Sequence, residues 1–347
     1  MTSTHECKIA ESISLRLHTL RWVSAILVLV GHIEMVSQYK SGISIVSNGY
    51  LIAHLSVMTF FVVSGFTIAY VCERTPLLKH YVIDRVTRIH IVLLPAVILT
   101  ATLDYIGIKI ARDLYEAYTP HDYLWIRFFI NILGLQGWQG YRVQFGSNAA
   151  LWSIGYELFY YLTYGLIFYK LIPAIKSRSW RLVSLLVLTI MALLTIAGKY
   201  ITLYMFIWLL GVASYYVQKC HLSSGRGFVL FALIFCGFSI LFMKGGFLQD
   251  IIFSFGISFF ILAKIKNWKD ILGLKLSVFS FSLYATHLPI IFLTYSIFYS
   301  AEYNYYYFFL FVAFVSITTS WLFSIVFEKQ RGSIRNIIYR RFIGLNG

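Results

Sequence analysis

The sequence predicts an all-α membrane protein, a polytopic bundle of about ten transmembrane helices. Of its 347 residues, 59% are hydrophobic and 12% are charged, whereas a soluble domain is about 45–50% apolar and about 25% charged. The apolar residues fall into runs of roughly 17–25, the length that crosses a bilayer as a helix. Lys and Arg collect in alternate loops between these runs. Together these observations exclude a soluble enzyme, a disordered protein and a small secreted domain.

Ten of the apolar runs are long enough to span a membrane. A further run, 122–138, is interrupted by Arg127, Asn131 and Gly134, and it is either an eleventh span or a helix that dips into the membrane without crossing. The ten predicted spans are 19–37, 50–72, 89–110, 148–171, 181–198, 200–218, 227–243, 250–265, 276–298 and 304–328.

The basic residues decide between ten and eleven spans. With ten spans and both termini cytoplasmic, 22 of the 29 Lys and Arg residues lie on the cytoplasmic side, which is where loops are enriched in these residues. An eleventh span would reverse every later segment and place the basic clusters at 176–181 and 264–275 outside. We therefore predict ten spans.

The chain is predicted to form one membrane-integral domain over residues 1–347. Residues 1–18 form a cytoplasmic N-terminal segment, 111–147 an outer loop, and 329–347 a cytoplasmic tail. No Pro-, Gly- or Ser-rich linker, low-complexity tract or internal repeat divides the chain. No cleavable signal peptide is expected, because no small-residue cleavage site follows the first apolar run. The membrane bundle itself must therefore carry the chemistry.

The net charge of +15 does not indicate a nucleic-acid partner, because no segment is polar enough to form a soluble basic face. The spacing of Cys7, Cys72, Cys220 and Cys236 fits no zinc or haem pattern, so no metal is expected. The first three lie near helix ends on the predicted reducing side, so disulfides are not expected.

Ionisable residues inside a bilayer are costly, and each is a functional hypothesis. Arg21 and His32 lie on the first span, and their separation corresponds to three turns plus about 20°, so they share a face, with His32 about 16 Å further out. The alternative is that Arg21 anchors the topology and His32 makes an interhelical hydrogen bond. Glu34, about 200° round from His32, is predicted to lie at the outer rim and to contact substrate.

Two more ionisable residues lie in the middle of later spans. Glu157 has a predicted depth similar to that of His32, where it would orient the imidazole and raise its basicity. The alternative is a buried carboxyl held by Tyr and Ser hydroxyls. His287 is equally compatible with a structural and a catalytic role, and Pro289 beside it frees a carbonyl one turn earlier.

Arg85 and Arg88 share a helix face at the cytoplasmic end of the third span. A guanidinium is always charged and binds phosphate oxygens in bidentate fashion, so the pair suits a phosphate-bearing ligand. The alternative is an ordinary basic flank that fixes topology. No Walker or dinucleotide glycine pattern is present.

Five short motifs occur in order along nearly the whole chain. They are Leu20-Arg21 with His32, the run Phe60-Phe61-Val62-Val63-Ser64-Gly65-Phe66, Arg85 with Arg88-Ile89, Leu151-Trp152-Ser153 with Glu157 and Phe159-Tyr160, and Ser282-Leu283-Tyr284 with His287. This order resembles the integral-membrane acyltransferase family 3, which includes O-antigen, exopolysaccharide and Nod-factor O-acetylases.

The resemblance implies that Arg21 and His32 are essential and that Arg85 and Arg88 serve the coenzyme A end of the acyl donor. The chain departs from the family pattern at Trp22, where the family usually has a small residue after the arginine. The supporting or substrate-binding residues that we predict are Glu34, Trp152, Ser153, Tyr284 and His287.

We therefore predict an O-acyltransferase of a bacterial inner membrane. It would transfer acetyl from acetyl-CoA to a sugar hydroxyl of a surface polysaccharide or its lipid-linked precursor, with membrane lipid around it. His32 would act as a general base or carry the acyl group briefly. The alternative is a transporter of a lipid-linked sugar or small anion, which usually shows internal repeats. Aromatic residues predicted to stack on the sugar are Tyr115, Tyr118, Trp125, Trp138 and Tyr141.

Overall fold

The structure is a computed structural model that describes residues 11–41, 49–140, 143–220, 227–265, 268, 271–299, 301–302 and 304–343. Within these ranges the chain is helical and contains no β-strand. The helices are α1 (Glu11–Ser41), α2 (Gly49–Arg74), α3 (Leu78–Ile110), α4 (Arg112–Tyr118), α5 (Leu124–Ile132), α6 (Trp152–Leu166), α7 (Ile172–Lys176), α8 (Trp180–Ala197), α9 (Lys199–Lys219), α10 (Gly227–Phe242), α11 (Phe247–Leu262), α12 (Ile271–Ser277), α13 (Ser280–Ile297), α14 (Tyr305–Val326) and α15 (Arg331–Ile343).

Every predicted span overlaps a helix. Among the described helices, seven are long and apolar enough to cross a membrane: α1, α2, α3, α6 continued by α7, α8, α9 and α14 continued by α15. Two shorter apolar helices, α10 and α11, and the 18-residue α13 match the other runs. The all-α polytopic fold is confirmed, while the number of ten crossings and the side of each terminus remain predictions.

The interrupted run 122–138 does not form a spanning helix. Its helix α5 has nine residues and is therefore about 14 Å long, less than half the roughly 30 Å of a hydrocarbon core. Gly134 follows with a left-handed φ of 73°, a conformation that glycine adopts without steric cost. The segment therefore stays on one side of the bundle.

Helix α2 lies at the centre of the bundle, with a larger buried share than any other candidate span. A Cβ atom on Gly65 would collide with the Trp208 carbonyl of α9, and one on Gly211 with the Val62 carbonyl of α2. Small residues allow such close packing of membrane helices. The hydroxyl of Ser64 accepts from Trp208 Nε1 at 3.2 Å. The run 60–66 therefore fixes α2 against α9.

The segment before α6 is tied to α3 and α13. The Asp104 carboxylate of α3 accepts from the backbone N of Ser147 at 2.7 Å and from its hydroxyl at 2.6 Å. Asn148 Nδ2 donates to the Ala285 carbonyl at 2.9 Å, and this is the carbonyl that Pro289 deprives of its helical N–H partner. The predicted free carbonyl thus holds the segment before α6 against α13.

The C-terminal helix α15 packs against the beginning of α3. Arg335 Nη1 lies 3.6 Å from Asp84 Oδ1, and Tyr339 Oη donates to the His80 carbonyl at 3.1 Å. The tail therefore lies at the same end of α3 as Arg85.

Candidate active site

A first cavity, which we call the arginine cavity, is lined by six of the predicted site residues: the charged Arg21, Arg85, Arg88 and Glu157, together with Ser153 and Tyr284. Helix α1 contributes Arg21, whose Nη2 donates to Thr67 Oγ1 at 2.8 Å. Arg85 is only 5% exposed, and its Nε has no hydrogen-bond partner among the described residues. Three guanidinium groups face one carboxylate, so the cavity is cationic and suits an anionic ligand.

A second cavity contains His32. Two adjoining pockets share His32, Tyr50 and Trp152 in their walls, and together we call them the histidine cavity. Arg21 and His32 thus face the interior of the bundle from the same helix, and each lines one of the two cavities. This agrees with the shared face that their spacing predicts.

Tyr284 lies between the two cavities and contributes to the wall of both. Its Oη donates to the Ala150 carbonyl at 2.7 Å and lies 2.6 Å from the hydroxyl of Ser153. Because the Tyr284 proton goes to the carbonyl, Ser153 donates to Tyr284. Phe60 packs edge-on against the same ring, with centroids 5.6 Å apart. Residues predicted to support the site therefore form the boundary between its two halves.

The hydrogen-bond partner of His32 is His287 of α13. Nδ1 of His32 lies 2.7 Å from Nε2 of His287, and the two rings stack with centroids 4.9 Å apart. Nδ1 of His287 in turn lies 3.0 Å from the Leu283 carbonyl. A carbonyl can only accept, so neutral His287 carries its proton on Nδ1 and accepts at Nε2. His32 then donates from Nδ1 and keeps the lone pair of its Nε2.

The predicted pairing of Glu157 with His32 is wrong. Glu157 lines the arginine cavity and interacts electrostatically with Arg21, while His287 takes the place beside His32. The predicted depth of Glu157 assumes a span that begins at residue 148, whereas α6 begins at Trp152 after a short turn that is itself buried. The position of Glu157 relative to His32 therefore does not follow from its place in the apolar run.

Glu34 lies beside the first residues of α2 and α14, Gly49 and Tyr305, but it is not exposed there as a rim residue would be. Its side chain is fully buried, and its Oε1 accepts from Tyr305 Oη of α14 at 2.9 Å. As its angle on α1 predicts, it faces away from His32, and it lines neither cavity.

The aromatic residues of segment 111–147 that are predicted to stack on the sugar do not gather at the two cavities. Tyr115 is fully buried and packs on Phe292, whereas Trp125 is largely exposed. Neither lines the arginine or the histidine cavity. Tyr141 lies outside the described residues. The aromatic residues at the histidine cavity are instead Tyr50, Trp152 and Tyr284.

The sequence interpretation missed a second imidazole at the histidine cavity. His54 of α2 lines it together with His32, and its Nε2 lies 3.0 Å from Oδ2 of Asp250. Tyr204 Oη donates to the same oxygen at 3.1 Å. The sequence does contain a signal for this pair, because His54 and Asp250 each lie within a predicted span. An ionisable residue within a span is the same feature that identifies His32.

Cys72, Cys220 and Cys236 are unpaired, and Cys7 lies outside the described residues. In the described part of the chain, no three His, Cys, Asp or Glu side chains are grouped so that they could hold a metal ion.

The chain belongs to acyltransferase family 3, because the model of that family, described as an acyltransferase domain, matches residues 15–325. The predicted family is thereby confirmed, and the protein is a multi-pass membrane acyltransferase. The transporter alternative is disfavoured by this membership. No curated protein and no solved structure shows detectable similarity to the chain.

Proposed function

We propose that this acyltransferase moves an acetyl group from acetyl-CoA to a sugar hydroxyl of a cell-surface polysaccharide or its lipid-linked precursor, in a bacterial inner membrane. One observation carries the proposal: a cationic cavity and a cavity with an available imidazole nitrogen share a wall at Tyr284. An acyl transfer between an anionic donor and a neutral alcohol needs these two environments side by side.

The arginine cavity has the donor set that coenzyme A phosphates require. Arg21, Arg85 and Arg88 supply fixed positive charge, and the buried Nε of Arg85 lacks a partner among the described residues. A buried donor without a partner is costly, and a phosphate oxygen would satisfy it. When bound, acetyl-CoA supplies the thioester carbonyl that is attacked. Glu157 lines the same cavity and partly balances the charge of the arginines.

His32 supplies the base in this proposal. Its Nε2 lone pair accepts the proton of the acceptor hydroxyl while the oxygen forms an ester bond and the C–S bond of the donor breaks. The proton then goes to the leaving sulfur, so the atoms balance. His287 holds the reactive tautomer because its Nε2 accepts from Nδ1 of His32. The second route, in which His32 carries the acetyl group before the hydroxyl attacks, uses the same nitrogen.

Membrane vesicles test this proposal. Vesicles that contain the protein would be incubated with radiolabelled acetyl-CoA and alkali-deacetylated surface glycan from cells that lack the gene. The proposal predicts label in the glycan and release of free coenzyme A thiol in equal amounts. No transfer of label, combined with altered export of the polymer in cells that lack the gene, would favour a transporter.

A further inference from the structure

Three amide side chains in the wall of the histidine cavity have an unusual common feature. Asn131, Gln136 and Asn148 line its larger pocket and are at most 1% exposed. The carbonyl oxygen of each side chain has no hydrogen-bond partner among the described residues. Buried polar atoms are nearly always paired, so each exception requires an explanation. The three residues line one cavity, and a ligand bound there with several hydrogen-bond donors would satisfy these oxygens.

The orientation of each amide is fixed by the bonds that its NH2 group makes. Asn131 Nδ2 donates to the Val143 carbonyl at 2.7 Å, and Gln136 Nε2 donates to the Leu151 carbonyl at 2.6 Å. Asn148 Nδ2 donates to the Ala285 carbonyl at 2.9 Å. Because a carbonyl can only accept, the NH2 end must face it. The oxygen end of each amide is therefore the end that lacks a partner among the described residues.

Three acceptor oxygens select a ligand that carries several donors. Phosphate and carboxylate would be repelled by these oxygens, and a hydrocarbon chain would leave them unpaired. A sugar ring carries several hydroxyl donors and also has an apolar face. Tyr50 and Trp152 line the same cavity and offer aromatic faces, and Tyr50 is 59% exposed.

His54 adds a further polar group to this cavity. Its Nε2–H is held by Asp250, which leaves the Nδ1 lone pair to accept from a hydroxyl. The imidazole is stacked between Tyr50, at a centroid distance of 6.0 Å, and Trp152, at 6.5 Å. The ring is therefore held in one orientation by two aromatic residues and one carboxylate.

We propose that the histidine cavity is a carbohydrate-binding subsite in which Asn131, Gln136 and Asn148 accept hydrogen bonds from hydroxyls of the acceptor sugar, with Trp152 and Tyr50 against its apolar face. This inference rests on the proposed function, since it names the residues that recognise the acceptor. It assigns sugar recognition to amides and aromatic residues next to His32 rather than to the exposed aromatic residues of the outer segment.

Steady-state kinetics in membrane vesicles test the subsite. The probe is alkali-deacetylated surface glycan from cells that lack the gene, and the variants are Gln136→Met and Asn131→Leu, which preserve side-chain volume. We expect each to raise the KM for the glycan about tenfold, the effect of one lost hydrogen bond. The KM for acetyl-CoA should stay within about twofold, because that ligand occupies the other cavity.

Gln249→Met is the matched control. The NH2 group of Gln249 also donates to a carbonyl, that of Ser239 at 2.8 Å, and its side-chain oxygen also lacks a partner in the described part of the chain. Gln249, however, lies outside both cavities. If Gln136 and Asn131 were merely structural, as Gln249 is, all three variants would have a lower melting temperature and the KM for the glycan would be unchanged.

The outcomes separate this inference from the proposed function. If wild-type vesicles transfer acetyl to the glycan but Gln136→Met and Asn131→Leu keep the wild-type glycan KM, the subsite is wrong and the function stands. A glycan KM raised equally by Gln249→Met would also overturn the subsite. If wild-type vesicles transfer no acetyl to the glycan, the proposed function itself fails.

Discussion

His32 of α1 and His287 of α13 form a hydrogen bond of 2.7 Å between Nδ1 and Nε2. In the proposed mechanism the base and its orienting group are two imidazoles, with no carboxylate of the described residues between them. The Leu283 carbonyl fixes the tautomer of His287, and His287 in turn fixes that of His32. A chain of neutral hydrogen bonds thus prepares the Nε2 of His32 as an acceptor.

Replacement of His287 should lower the rate without changing donor binding. His287→Leu removes the acceptor that holds His32 Nδ1–H, and we expect a loss of kcat on the order of 10²-fold, within the range of general-base catalysis. His287→Gln can still offer an oxygen to Nδ1 and should restore part of the rate. The measurement is acetyl transfer to glycan in vesicles.

His90→Gln is the control for the histidine variants, because His90 of α3 makes a hydrogen bond to the Val86 carbonyl and lies outside both cavities. It should keep full activity. Wild-type kcat in a well-expressed His287→Leu variant would show that His287 only packs the bundle.

Arg88 should contribute to donor affinity. Arg88→Ala removes a guanidinium from the arginine cavity, and we expect acetyl-CoA binding to weaken by about 1–3 kcal/mol, the range for a charge-assisted hydrogen bond. Arg88→Lys should restore only part of this, because an ammonium cannot bind in bidentate fashion. Equilibrium binding of radiolabelled acetyl-CoA to the purified protein gives both values.

Arg74→Ala is the matched control for Arg88. Arg74 ends α2, where its guanidinium lies over the Tyr70 ring at 3.9 Å, and it lies outside the arginine cavity. Donor affinity should be unchanged in this variant. Equal affinity in Arg88→Ala and the wild type would reduce the arginine pair to a topology signal.

Glu157 should oppose donor binding electrostatically. Because its carboxylate lies in the arginine cavity, Glu157→Gln removes a negative charge that repels phosphate, and we expect tighter binding of acetyl-CoA by several-fold. The shift should shrink as salt is added, since salt screens charges. Weaker donor binding in Glu157→Gln would instead show that ordering Arg21 is the larger contribution of Glu157.

The ten-span topology is tested by labelling single cysteines in a protein without its native cysteines. A cysteine in place of Lys176, at the end of α7, should be shielded from an impermeant thiol reagent added to intact spheroplasts. One in place of Arg112, exposed at the start of α4, should react. Labelling at position 176 would contradict ten spans with cytoplasmic termini.

Helical periodicity and hydropathy were sufficient for part of this site. The placement of Arg21 and His32 on one side of α1, and of Arg85 and Arg88 in a common cavity, follows from residue spacing along single helices. The cost of charge in a bilayer correctly marked Glu157 as unusual. These inferences are local, and local geometry is regular.

The partners of these residues depend on how separate helices pack, which no spacing encodes. His287 is 255 positions from His32, and α6 begins later than its apolar run. The segment that contains Asn131, Gln136 and Asn148 consists of short helices and turns. Neither the 3.6-residue period of a long helix nor the 2-residue period of a strand predicts which way its side chains point. Their common feature, an oxygen without a partner, exists only in the folded chain.

The most direct test of the account is the acetyl content of surface glycan from cells that express His32→Gln. Gln keeps a polar side chain but cannot take up a proton near neutral pH, so we expect no acetyl signal in the proton NMR spectrum of the glycan, at a membrane protein level equal to that of wild type. The His90→Gln variant should give the wild-type signal. Substantial acetylation by well-expressed His32→Gln would contradict the central claim that the Nε2 of His32 performs the chemistry.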